Sequence, residues 1–261
     1  MSRLCPPALL LLAYAGTLLA TGPRSRVEVT TSETIAYSPE GTIRIDDSFG
    51  RLRVEGWDRD VVELKLTRRT NCRYEEEAQR APSAPPNGPE TRWLALRAAA
   101  PFCACYSDDE WKARRRLEKI TVEITRWNRD LHIATHFPDP SLFYPLGGRS
   151  NLNLDYRLMV PRKAQLQIRH SVGQVDVSGV SGEMDVSNKV GEVVLRLPDG
   201  GEYNIRAQAD VGDVDSDFHG RSRRSHLVGA TFDMPDRHGG KHVRASVGIG
   251  EVKIVRSGFS H

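Results

Sequence analysis

Cysteine is scarce in this chain: four among 261 residues, one of them Cys5 at the extreme N-terminus. The others are Cys72, Cys103 and Cys105. Three thiols without a matching histidine cluster do not complete a tetrahedral zinc site. Excess charge is missing as well. The formal net charge is +3, too even a balance for a dedicated nucleic-acid binder, which concentrates basic charge on one face. There is no Gly-x-Ser-x-Gly elbow, no P-loop and no His-Glu-x-x-His, so the common hydrolase, NTPase and metalloprotease signatures are excluded. The calcium-binding nonapeptide pattern is absent too. We assign no catalytic, cofactor-binding or metal-ligating set from the sequence.

Long apolar runs are confined to the N-terminus. Met1-Ser2-Arg3 carries one positive charge, residues 4–20 are leucine-rich and almost without polar side chains, and the small residues Ala20, Thr21 and Gly22 follow. That is the layout of a secretory signal. A membrane anchor needs roughly 20 apolar residues, and Pro6 and Pro7 shorten the usable run. The expectation is a signal peptide at 1–22, cut after Ala20 or Gly22, and a single exported domain over 23–261 without a transmembrane segment. Its place is the periplasm, the cell surface or the extracellular space. In such an oxidising compartment a disulfide from Cys72 to Cys103 or to Cys105 is plausible, with one thiol left over.

What the chain has in abundance is period-two alternation. Ile43 and Ile45, Leu52 and Val54, and Leu64 and Leu66 share faces, with charge between them. Residues 120–124 and 131–135 read as a hairpin around Asn128-Arg129-Asp130, and 152–160 as the longest alternating strand. Two stretches break the pattern. Residues 71–106 hold a proline-rich run and the three cysteines and read as an insertion. Residues 107–119 read as a short helix, with Ser107 as N-cap and acids in its first turn. Residues 137–150, rich in proline and glycine, read as a loop. Two basic runs, Lys112-Ala113-Arg114-Arg115-Arg116 and Arg221-Ser222-Arg223-Arg224, read as solvated. His132 and His136 lie four apart on one strand face, but only Asp139 accompanies them, which makes a poor metal site.

From Ser171 onward one phrase recurs. Gly173, Gly182 and Gly191 fall nine residues apart, and further glycines follow at 212, 229, 248 and 250. A fixed period signals short strands stacked on one another. Val175 and Val177, Val193 and Leu195, Val211 and Val214, and Val252 and Ile254 supply the inward face. The outward positions are Gln174, Asp176, Glu183, Asp185, Glu192, Asp213, Asp215 and Glu251. They read as solvated charges that discourage edge pairing, with cation binding along a stacked column as the functional alternative.

These residues resemble a known family, the bacterial β-strand-repeat domains called putative adhesins. The likeness is carried by 41–45, by 49–61 with Gly56-Trp57-Asp58-Arg59-Asp60-Val61, by 117–135 and by the Gly-Xaa-Val-Xaa-Val phrases up to Ile254. It covers about residues 27 to 256, and the cysteine-bearing insertion departs from it. The resemblance implies an all-β right-handed β-solenoid or stacked β-roll with an exported surface or envelope role. It brings no catalytic residues.

The leading expectation is therefore a non-enzymatic, exported β-repeat protein acting in adhesion, envelope scaffolding or assembly. Its partner would be an envelope or surface protein or a polysaccharide, and not nucleic acid. One alternative is a polysaccharide-acting enzyme using Asp176, Asp185 and Asp213 as carboxylates. Another is a periplasmic sensor or partner-binding module that uses the insertion as its contact.

Overall fold

The computed structural model describes residues 25–38, 40–72, 110–137, 152–224, 228–234 and 238–258. The expected signal peptide, all but the first two residues of the expected insertion, Cys103, Cys105 and nearly all of the 137–150 loop lie outside the described residues. Cys72 is the last residue of a strand, opposite Ser25, so the strand continues into the first two positions assigned to the insertion. The proposed disulfide therefore involves partners outside the described residues.

The chain is all-β with one short helix. The strands are β1 (Ser25–Ala36), β2 (Thr42–Trp57), β3 (Val61–Cys72), β4 (Thr121–Trp127), β5 (Asp130–His136), β6 (Leu152–Pro161), β7 (Gln165–Ser178), β8 (Met184–Pro198), β9 (Tyr203–Ser216), β10 (Arg221–Arg224), β11 (Ala230–Asp233) and β12 (Lys241–Ser257). All belong to one mixed sheet ordered β1-β3-β6-β2-β7-β8-β12-β9-β11-β10, with the β4–β5 hairpin joined to β2 through β5. The path does not close on itself. What the structure establishes is this open mixed sheet, a coarser description than the expected solenoid or roll.

The expected helix is α1 (Glu110–Glu118), with Glu110 in its first turn and Arg115 and Arg116 in its last, the arrangement its dipole favours. Leu117 packs on Val27 and Val29 of β1. The hairpin turns where the sequence places it, with Asn128 in the left-handed region at φ 56°, a conformation asparagine tolerates better than most residues.

The centre of the sheet is a parallel array, β2-β7-β8-β12-β9. One glycine from each strand stands in register with the next: Gly50, Gly173, Gly191, Gly250 and Gly212. All five have φ between 96° and 142°, where side chains are strained. A Cβ on Gly173, Gly191, Gly250 or Gly212 would overlap the carbonyl oxygen of the glycine beside it. Only hydrogen fits. The alternations of Ile43 with Ile45 and of Leu52 with Val54 belong to one strand, β2, with a register irregularity between Ile45 and Phe49.

Aligned on these glycines, the core falls into rows. Leu52, Val175, Val193, Val252 and Val214 are neighbours in sequence of strands, and so are Ile43, Leu166, Met184, Val243 and Ile205. All of these are buried except Val214, which packs against the core from a half-buried position. Each fully buried aliphatic contributes on the order of 1.5–3 kcal/mol, and the shared register lets each row pack continuously. Leu166 lies beside Met184 and Gly173 beside Gly191, an offset of 18 residues. The structural period is therefore twice the nine-residue spacing of the glycines. Gly182 sits in the β7–β8 connection, where a Cβ would overlap the Ala164 carbonyl oxygen.

One assignment of the inward face is corrected. Val211 is 42% exposed, as are Val190 at 40% and Ile249 at 55%. Each precedes its corner glycine, where the in–out alternation changes phase, from buried Val186 and Asn188 to buried Val193 and Leu195 on β8. Phe49 and Val172 hold the same register place on β2 and β7 and are half-buried.

Candidate functional site: the outer groove of the parallel array

The residue six places before each corner glycine faces outward. These are Arg44, Gln167, Asp185, Arg244 and Arg206, side by side across β2, β7, β8, β12 and β9. They line a depression of about 430 Å³, together with Thr42, Gln165, Glu183, Asn204 and His242 at the strand starts. The row takes its direction from strands whose alternate side chains are locked in the core, so the outward atoms sit on a stiff frame.

The groove is polar and open. Arg44 pairs with Asp130 at 3.3 Å, and Arg169 reaches Asp185 at 3.5 Å. Asn204 is buried and donates from Nδ2 to the Gly240 carbonyl at 3.2 Å. Arg244 has no ion-pair partner among the described residues. Guanidinium groups, amides, two carboxylates and an imidazole are displayed at the ~4.8 Å strand spacing. That set can hydrogen-bond hydroxyl, carboxylate or amide groups of an extended ligand.

The outward acids of the sequence reading do not form a free column. Beyond the corner, Gln174 donates to Glu192 at 3.1 Å, and Lys253 bridges Glu192 at 3.2 Å and Glu251 at 2.9 Å. The Lys253 ammonium is held above its ordinary range, first by Glu251 and then by Glu192. Asp176 pairs with Arg196, and Asp213 with Arg224. The Arg224 hydrogen bond holds the Asp213 carboxyl below the usual carboxylate range. Asp176, Asp185 and Asp213, the carboxylates of the enzyme alternative, are thus each engaged by an arginine, and no two are neighbours in the register.

Among the described residues, no three or more His, Cys, Asp or Glu side chains come together as a metal-holding group. His132 pairs with Asp46 at 2.7 Å, and His136 at the end of β5 is exposed. Among the described residues no helix is long and apolar enough to cross a membrane.

The sequence reading missed Arg44, Gln167, Arg206 and Arg244. The signal was there: counting back six residues from Gly50, Gly173, Gly191, Gly212 and Gly250 gives the whole row. Counting forward from the glycines, toward the acids, concealed it.

No family model matches the chain, and no curated protein matches it. Among solved structures, it is similar to one described as a putative cell adhesion protein from Clostridium sporogenes. The two share 13% identity over 88% of this chain and 100% of that one, with a TM-score of 0.45. A score at that level is too low to establish a common fold.

Proposed function

We propose that this is an exported, non-enzymatic β-repeat protein that binds a cell-envelope or surface component through the outer groove of its parallel array. The single observation that carries the reading is the groove itself: open, polar and built from register-locked side chains on five adjacent strands. Such a surface suits an extended partner lying across strands. The signal-like residues 1–22 support export. The 18-residue offset of β7 and β8 and their short connection support a solenoid-like stacking of that part of the sheet. An adhesion or scaffolding role follows from the same rigidity, because binding to a preformed surface loses little to ordering.

The test is co-sedimentation of the purified chain, residues 23–261, with isolated cell envelopes. Saturable binding without release of soluble sugar from the envelope is the expected result. Release of reducing ends would replace this reading with the polysaccharide-acting enzyme. Absence of binding would end it.

A further inference from the structure

The groove opens at one end onto a basic patch. Next to Arg244 of β12 lies Arg206 of β9, then Asp233 of β11, then Arg221 of β10, all directly opposite one another in register. Two residues along β10, Arg223 stands opposite Thr231, which stands opposite Gln208. All four arginines are exposed and on the outer side of the sheet, since Phe232 and Ala207, between them, are buried on the inner side. Arg221, Arg223 and Arg244 have no ion-pair partner among the described residues. Four arginines are gathered across three strand spacings, about 14 Å, with Asp233 between Arg206 and Arg221, Asp185 opposite Arg244 on β8, and Asp210 accepting from Gln208. The basic run read as solvated in the sequence is completed by arginines from two other strands.

From this we infer that the outer face of β12-β9-β11-β10 binds an acidic polysaccharide, a glycan bearing carboxylate or sulfate groups. The inference names the ligand class of the interaction surface proposed above and rests on that reading. Guanidinium forks hold planar or tetrahedral anionic groups through paired N–H donors. Amides and hydroxyls stand among the arginines at Gln208, Thr231 and Ser246, and these match the hydroxyls of sugar rings. Nucleic acid fits less well. Single strands are held by stacking on aromatic side chains, and the aromatic ring of this region, Phe232, is buried. The exposed aliphatics Val190, Ile249 and Val211 lie on the corner row, while Val228 stands two residues before Ala230, the partner of Arg224 on β10, so an anionic membrane is the competitor that the vesicle arm of the test decides.

The test is affinity electrophoresis and calorimetry of residues 23–261 with alginate as the carboxylated probe and heparin as the sulfated one. Neutral dextran, an oligothymidylate and phosphatidylglycerol vesicles complete the set. The R221Q/R223Q/R244Q variant is compared with R51Q/R53Q, which alters exposed and half-buried arginines beyond the corner. The expected result is binding to one or both acidic glycans. Affinity should fall about tenfold or more in the triple variant, as loss of charge-assisted contacts implies, and stay unchanged in the double variant. Wild-type affinity should weaken with added salt, a readout that holds even where the triple variant folds poorly. The inference is overturned if neither glycan binds, if both variants behave alike, or if the oligonucleotide or vesicles bind more tightly. Envelope co-sedimentation that survives without glycan binding would sink this inference and leave the proposed function standing. Loss of both would sink both.

Discussion

Asn188 donates a hydrogen bond from Nδ2 to the carbonyl oxygen of Gly173 at 2.9 Å. It lies three residues before the corner glycine of its own strand and reaches the corner of the strand beside it. His170 holds the same place on β7, with Nε2 3.1 Å from the Gly50 carbonyl oxygen. Because a carbonyl only accepts, Nε2 must carry the proton in this contact. Both side chains are 2% exposed. On β12 and β9 the equivalent residues are Val247 and Ala209, so the polar rung belongs to β7 and β8.

The His170 rung makes the fold acid-sensitive. Burial pushes the imidazole down to about 4 from an ordinary 6.5, against hydrogen bonds to the Gly50 and Val172 backbone. The unfolded chain therefore takes up the proton first as pH falls. The contribution is whole above about 6.5 and is lost progressively toward about 4, on the order of 3 kcal/mol in total. Urea denaturation across that range should show the loss, and His170→Asn, which copies the Asn188 rung, should flatten it. Parallel curves for the two proteins would exclude His170 as the source.

The corner glycines should be intolerant in proportion to what surrounds them. Gly191→Ala drives a Cβ into the Gly173 backbone at φ 131°, and a cost of about 3 kcal/mol or more is expected. Gly200, in the β8–β9 link, also has positive φ, but nothing lies within 4 Å of its would-be Cβ. Gly200→Ala should cost roughly 1–2 kcal/mol. Equal losses in thermal unfolding would mean that the ladder is not close-packed.

Side chains on the two sides of a corner should differ as sharply. Leu195→Ala removes a fully buried side chain and should cost about 2–5 kcal/mol. Ile249→Ser, on the outward row, should stay within about 0.5 kcal/mol of wild type. A large loss at Ile249 would show that the corner row is covered.

Alkaline pH should expose a second buried group. Tyr156 and Thr135 share a hydroxyl–hydroxyl bond of 2.9 Å, and burial pushes the phenol up to about 12 despite that bond and nearby Arg68. The folded chain holds this proton longer than the unfolded chain, so its contribution is present below about 10 and lost as pH rises toward 12. Burial also raises the Tyr37 and Tyr203 phenols, so ultraviolet difference titration should resolve a late-ionising group of tyrosines that loses one member, the step near 12, in Tyr156→Phe. A phenol that titrates with the exposed ones would contradict the buried placement.

The strands and the helix were legible because their signals are local: alternation of Ile43 with Ile45 or Val193 with Leu195, and acids ahead of Trp111 followed by arginines. The strand order was not legible. Nothing near residues 241–257 says that β12 inserts between β8 and β9, since parallel pairing is decided by packing between distant segments. The glycines were visible but misphased, because Gly173, Gly182 and Gly191 look alike in sequence while only the first and third occupy corners. The groove was missed for the same reason. Arg44 and Arg206 are 162 positions apart in the chain, and only the shared distance to a corner glycine places them in one row.

Arginine footprinting tests the outer groove most directly. Residues 23–261 would be treated with an arginine-selective dicarbonyl reagent, free and bound to isolated envelopes, and each site quantified by peptide mass spectrometry. Protection of Arg44, Arg206 and Arg244 on binding, with Arg51 and Arg53 unprotected, is the predicted result. Protection of Arg51 and Arg53 with the groove arginines still reactive would place the binding surface beyond the corner and contradict it.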